Sequence, residues 1–200
     1  MDGISKIENR FQVKVEHNSL IELLLFLNSI HQDQPQISYV EKSFEEKLLI
    51  NYIEEKQLWF DNLQFSTYLS EGAEQKVFFN AQQNKVTKFN DGIFYVNWTQ
   101  YFESIIIHNI LFSETAYDFS GFMMINKTLY AVVEQNYIEP TEKTEIKAIQ
   151  DLMYSKGFTL KRRNDYVHHE LGLIIEDLHE ENVLVNNELL YFIDTVIYLK

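Results

Sequence analysis

The sequence predicts an α+β fold, because helical and strand-like segments are grouped along the chain rather than alternating. Helical spacing of apolar residues marks 18–30, 43–56, 97–112 and 141–155. Short apolar or alternating runs mark strands within 65–89, 119–134 and 158–199. The order is therefore helices, strands, one helix, a hairpin, one helix, then further hairpins.

Each element has a local reason. Residues 18–30 read as a helix, and 43–56 as a second with Phe44, Leu48, Leu49, Tyr52 and Ile53 on one face. Gln32-Asp33-Gln34-Pro35-Gln36 separates the two, and 1–57 forms a helical N-terminal region. The character changes near Leu58, where a second region, 58–200, begins. Strands are expected over 65–69, 75–80 and 84–89, with Ala81-Gln82-Gln83 turning between the last two. Asn97 can cap the helix 97–112, with Gln100 placed to return a bond. Residues 119–125 and 128–134 pair around Asn126-Lys127. Pro140 precedes a helix over 141–155, with Ile146, Ile149, Leu152 and Met153 inward and Gly157 near its end. Strands follow at 158–163, 166–169, 171–175, 183–185 and 188–199, turned at Asn164-Asp165 and Asn186-Asn187.

Composition narrows the function classes. Two hundred residues, 46% hydrophobic and 14% aromatic, suffice for one domain with a real core and a small appendage. The net charge of −13 argues against a face that grips nucleic acid. The apolar run from Leu20 to Leu27 is too short for a bilayer, which needs about 20 residues. Asp2 and Glu8 near the N-terminus do not suit a secretory signal. The chain has no cysteine, so disulfides and thiolate zinc sites are excluded and a cytoplasmic setting is expected.

Chemistry concentrates near the end of the chain. Asp194 stands alone in the apolar run 189–199, expected to be one buried strand, where an ionised carboxylate is costly unless a cation or donors meet it. Asp177 and Asn182 lie on a loop just ahead of the strand at 183–185. An aspartate, an asparagine five residues later and an aspartate in the next strand can orient a hydroxyl and hold magnesium alongside phosphates. Lys88 lies on a strand, where it can neutralise phosphates, and Glu103 shares a helix face with Ile106, Ile107 and Ile110 and needs a cation. Lys85, on the opposite strand face, is the spare candidate. In Ser70-Glu71-Gly72-Ala73-Glu74-Gln75, Gly72 would let backbone amides approach phosphate. His168 and His169 are adjacent on a strand, cannot readily chelate one ion, and read as surface or hairpin histidines. His179 lies inside the Asp177–Asn182 loop, where it can donate to a phosphate oxygen or simply pack and cap the loop.

With these residues in view, the chain resembles the protein-kinase-like superfamily, most of all the bacterial kinase domain found in polyvalent proteins of phages and mobile elements. The stretches that carry the resemblance are Trp59-Phe60-Asp61, Ser70 to Phe79, Lys85 to Phe89, Leu129 to Gln135 and Leu171 to Leu199. The resemblance implies a compact kinase-like fold over 58–200, with an antiparallel N-lobe sheet over about 58–135, a reduced C-lobe over about 136–200 and the helical extension 1–57 ahead of it. It implies Lys88 as the strand lysine, Glu103 as its helix partner and Asp177 as the catalytic-loop aspartate. Asn182 and Asp194 become the metal ligands, and Glu134, Gln135, Asn136 and Tyr137 the backbone hinge for adenine. Ile175-Glu176 ahead of Asp177 and Thr195-Val196 after Asp194 depart from the usual kinase residues, as do Ser70 and Gln75 in the loop. Only Thr195 to Lys200 follow Asp194, so no activation segment is expected.

The expected activity is an ATP- and Mg2+-dependent phosphotransferase with a protein or small-molecule acceptor, and neither nucleic acid nor membrane as partner. AMP transfer is a variant of the same chemistry. The alternatives are a catalytically inactive pseudokinase-type nucleotide-binding module and a structural domain that binds partners through its N-terminal helices.

Overall fold

Helices and strands do segregate along the chain, and the sheets are antiparallel throughout. The structure, a computed structural model, describes residues 2–12, 18–32, 42–61, 66–71 and 75–200. In chain order the helices and strands begin with α1 (Asp2–Phe11), α2 (Ser19–Gln32), α3 (Lys42–Lys56), β1 (Ser66–Glu71), β2 (Gln75–Asn80), β3 (Lys85–Asn90) and α4 (Trp98–Leu111). A 3-10 turn η1 (Ser113–Thr115) follows, then β4 (Asp118–Ile125), β5 (Thr128–Asn136) and α5 (Ile146–Ser155). The last strands are β6 (Thr159–Arg162), β7 (Asp165–His168), β8 (Leu173–Glu176), β9 (Val183–Asn186), β10 (Leu189–Phe192) and β11 (Val196–Leu199). No helix among the described residues is long and apolar enough to cross a membrane.

The chain divides into two units. A sheet unit comprises Glu16–Phe102 and Tyr117–Tyr137, and a loop unit comprises Met1–Val15, Glu103–Ala116 and Ile138–Lys200.

In the sheet unit a five-stranded sheet runs in the order β1-β2-β3-β5-β4. β3 is the middle strand, with Lys88 opposite Val77 on β2 and Val133 on β5. Asn126 and Lys127 turn β4 into β5 with φ of 50° and 69°, the left-handed pair that a two-residue hairpin needs. A bulge between Phe119 and Gly121 lets β4 meet the 58–60 segment, where Leu58 O accepts from Phe122 N at 2.8 Å. Gly121 sits at φ +132°, and a Cβ there would fall 2.5 Å from Leu58 O, so only glycine fits.

Glu45 organises the helices of this unit. It is fully buried on α3, and its carboxylate accepts from Trp98 N at 2.5 Å and Thr99 N at 3.2 Å. Thr99 Oγ1 donates to it at 2.5 Å, and His31 Nε2 lies 3.0 Å away. The carboxylate thus satisfies amides at the start of α4 that have no partner within the helix. The buried stripe of α3 is Glu45, Leu49 and Ile53; of the face expected from sequence, Leu49 and Ile53 are buried, Leu48 and Tyr52 half-buried, and Phe44 is 43% exposed. Phe26, Ile30, Phe44, Leu48 and Tyr52 line an open groove of about 340 Å³.

The loop unit holds a four-stranded sheet in the order β11-β8-β7-β6 and the two-stranded β10-β9 hairpin. Residues 188–199, expected as one strand, are two: the ladder with β9 ends at Phe192, and Val196 opens a ladder with β8. Asp194 lies in a bend between them and is half-buried, so the chain avoids placing its carboxylate inside a strand. The helix expected over 141–155 starts only at Ile146, because the preceding segment bonds to β9 instead. Thr141 N donates to Val185 O at 2.9 Å, and Thr144 Oγ1 donates to Val183 O. The turns fall one residue away from the predicted pairs, with positive φ at Arg163 and at Asn187 and Glu188. α1 has no counterpart among the segments predicted from sequence; Gly3 lies directly against the Leu199 side chain of β11.

Candidate functional site

The Asp177–Asn182 loop is built by backbone and side-chain bonds that interlock. Asp177 follows β8 in the left-handed region, φ +65°, which an aspartate tolerates better than most residues. Asn182 Nδ2 donates to Asp177 O at 3.0 Å and to Asp177 Oδ2 at 3.2 Å. His179 N donates to Asp177 O, and His179 O accepts from Asn182 N and Val183 N at 3.0 and 3.1 Å. His179 Nδ1 accepts from Glu181 N at 3.2 Å, which leaves Nε2 as the protonated nitrogen, 3.4 Å from Asp177 Oδ1. Of the roles expected for His179, the loop-capping one is visible in these bonds.

The loop is also tied to its neighbours. Asn164 O accepts from Leu178 N at 3.1 Å, and Asp165 Oδ1 accepts from Asp177 N at 3.4 Å. Asn182 O accepts from Ile193 N at 2.9 Å, beside the Phe192–Val183 pair that closes the β9–β10 ladder. The structure therefore brings Asp177, Asn182 and the bend at Asp194 to one end of the β9–β10 hairpin.

Residues on either side of Asp194 are held by a network that sequence reasoning missed. Thr115 Oγ1 donates to Phe192 O at 2.6 Å. His108, buried on α4, has Nε2 2.9 Å from Thr115 O and Nδ1 2.7 Å from Thr195 Oγ1. A carbonyl only accepts, so Nε2 carries the proton and Nδ1 accepts from the Thr195 hydroxyl. Two residues farther on, Ile197 N donates to Ser104 Oγ at 3.0 Å. The clue in the sequence was His108 itself, a lone polar ring in Ile105-Ile106-Ile107-His108-Asn109-Ile110. Thr195 is the residue whose hydroxyl meets His108 Nδ1.

Asn182 and Asp194 can offer oxygen to a metal. Because the Asn182 amide nitrogen is turned to Asp177, its Oδ1 is the atom left for a cation. Hard oxygens suit magnesium. Among the described residues no group of His, Cys, Asp and Glu large enough to cage an ion on its own is present.

The sheet unit carries the other predicted residues. Lys88 is 5% exposed on the middle strand, with Nζ 5.3 Å from the centre of the Tyr117 ring. Lys85 is engaged elsewhere, donating to Asp118 Oδ2 at 2.8 Å with Glu134 Oε2 3.8 Å away. That hydrogen bond and the nearby carboxylates raise the Lys85 pKa above its ordinary value. β4 begins at Asp118 opposite Glu134, so Gln135 and Asn136 have ladder partners on the β3 side only. Tyr137 N donates to Asn84 O at 3.0 Å, and the Tyr137 ring lies 4.5 Å from Phe79. Gly72 lies outside the described residues. Glu103 is half-buried on α4 and belongs to the loop unit, whereas Lys88 belongs to the sheet unit.

His168 and His169 part company. His169 is exposed, but His168 is 2% exposed and so is no surface histidine. It packs edge-on against Phe158, and its buried Nε2 finds no hydrogen-bond partner among the described residues. Burial lowers its pKa, helped by Arg10 and opposed by Glu170.

Residues 42–200 match the model of a family described as a serine/threonine/tyrosine kinase found in polyvalent proteins. The match opens at Lys42, the first residue of α3, ahead of the stretch over which the resemblance was read. No curated protein matches the chain.

Proposed function

The chain belongs to the family of serine/threonine/tyrosine kinases found in polyvalent proteins, and we propose that it is a compact kinase-fold phosphotransferase that uses ATP and magnesium. The observation that carries this reading is the Asn182 bridge. Its side chain holds Asp177, and its backbone holds the residue before Asp194. In this reading Asp177 is the base, and Asn182 Nδ2 orients its carboxylate. The acceptor oxygen bonds to the γ-phosphorus as the bond to the β–γ bridging oxygen breaks, ADP departs, and the hydroxyl proton passes to Asp177. Asn182 Oδ1 and Asp194 would hold magnesium, which would neutralise phosphate charge. Within the sheet unit, the buried Lys88 is the residue this reading assigns to nucleotide phosphate. Gln135 and Asn136, beyond the end of the β4 ladder, are the hinge residues this reading assigns to the adenine edge.

The test is a thermal shift with Mg-ATP followed by turnover in Asp177→Asn. A nucleotide at about 100 times its dissociation constant should stabilise the protein by about 2.7 kcal/mol. The variant should keep that shift and lose phosphoryl transfer. Binding without turnover in the native chain would make it a non-catalytic nucleotide-binding module. Absence of any shift at millimolar Mg-ATP would refute both.

A further inference from the structure

The β6–β7 hairpin carries Lys161, Arg162 and Arg163 in succession, in a chain whose net charge is −13. All of β6 is exposed, and Leu160 is 38% exposed. Among the described residues none of these three bases makes an ion pair or a hydrogen bond through its side chain. Lys85 and Lys147, by contrast, each hold a carboxylate. Among the described residues β6 is the edge of its sheet, paired with β7 alone, and the bulge between Leu160 and Arg162 re-aims Lys161.

The position of this basic tip gives it meaning. Arg162 stands opposite Asp165 in the ladder, and the Asp165 carboxylate accepts from Asp177 N. The next turn residue, Asn164, accepts from Leu178 N. The hairpin that carries the bases is thus bonded directly to the loop that carries the proposed catalytic aspartate.

We propose that the β6 edge with Lys161, Arg162 and Arg163 is the acceptor-recognition surface, and that it takes an extended acidic peptide segment of a protein substrate. This rests on the phosphotransferase reading above. An edge strand offers backbone groups to an extended peptide, and unsatisfied bases along it select carboxylates. A nucleic acid fits less well, because a long polyanion would also run over the acidic remainder of the surface. The hydroxyl to be phosphorylated is then a serine, threonine or tyrosine flanked by Asp or Glu.

The experiment measures fluorescence anisotropy of a labelled serine peptide flanked by glutamates, using the full chain without nucleotide. The same peptide with glutamines, and a single-stranded oligonucleotide of equal charge, serve as competitors. The K161Q/R162Q/R163Q variant should bind the acidic peptide about tenfold more weakly, as the loss of several exposed ion pairs predicts. Its Mg-ATP thermal shift should be unchanged, and raised salt should weaken only the native chain. Equal binding by both proteins, no binding of the acidic peptide, or stronger displacement by the oligonucleotide would each overturn the proposal. A normal Mg-ATP shift alongside any of these results would leave the phosphotransferase reading standing. Loss of that shift in the native chain would instead sink the latter.

Discussion

His168 shows how much one side chain can reveal. Its Nδ1 accepts from Leu171 N at 3.4 Å, so the buried nitrogen without a partner carries the proton of a neutral ring. Gly157, at φ +88°, passes so close that a Cβ there would lie 2.9 Å from His168 Nε2. Charging this ring inside the fold is unfavourable, so its folded pKa lies below the unfolded value of about 6.5. Between those two values the unfolded chain binds more protons than the folded one. Stability is therefore complete above about pH 6.5 and declines as pH falls toward the folded pKa. Melting temperatures of the native chain and His168→Phe, followed from pH 7.5 to about pH 5, should diverge with the native chain falling faster. Parallel curves would show that another group controls the acid limb.

Among elements, the hairpin β9–β10 and helix α4 matter most, because their bonds hold the residues on either side of Asp194. Replacing His108 by leucine leaves the Thr195 hydroxyl and Thr115 carbonyl without their ring partner, a loss of about 1–3 kcal/mol. A purely structural defect would stop there. If the network positions Asp194, the Mg2+ concentration needed for half-maximal ATP binding should also rise at a temperature where the variant is fully folded. Isothermal titration at several magnesium concentrations distinguishes these outcomes. Element types were legible because periodicity reports which face is buried, and residues 75–80 read as β2 do end where predicted. The bend at Asp194 and the late start of α5 were not. Both depend on bonds to residues far away in sequence, such as Asn182 to Ile193 and Thr141 to Val185. Glu45 was hidden for a related reason: a carboxylate reads as solvent-facing until the amides it serves, more than fifty residues later, are known.

For the whole molecule, the phosphotransferase reading makes charge and donor count set the metal behaviour. The acidic surface attracts cations weakly and everywhere, but Asn182 and Asp194 are too few to hold magnesium without phosphate oxygens. Magnesium alone should therefore raise the melting temperature far less than magnesium with ATP, and ATP with a chelator should fall short of both together. A large shift from magnesium alone would mean a protein-only metal site and would contradict this assignment. Asp177, Asn182 and Asp194 were recognisable from sequence as a group by type and spacing, and the structure brings Asp177, Asn182 and the bend at Asp194 to one hairpin end. Their supports, Thr115, His108 and Thr195, were not, since only folding makes them neighbours.

The contrast between Lys88 and Lys85 has a consequence for covalent labelling. The Lys85 side chain is 29% exposed, and Lys88 is 5% exposed. A water-borne acylating reagent should reach Lys85 first and leave Lys88 intact. Modification of Lys88 by a nucleotide acyl phosphate, blocked by excess ATP, would instead report delivery by a bound ligand. The buried amine thus serves as an internal tag whose silence toward ordinary reagents makes its labelling informative.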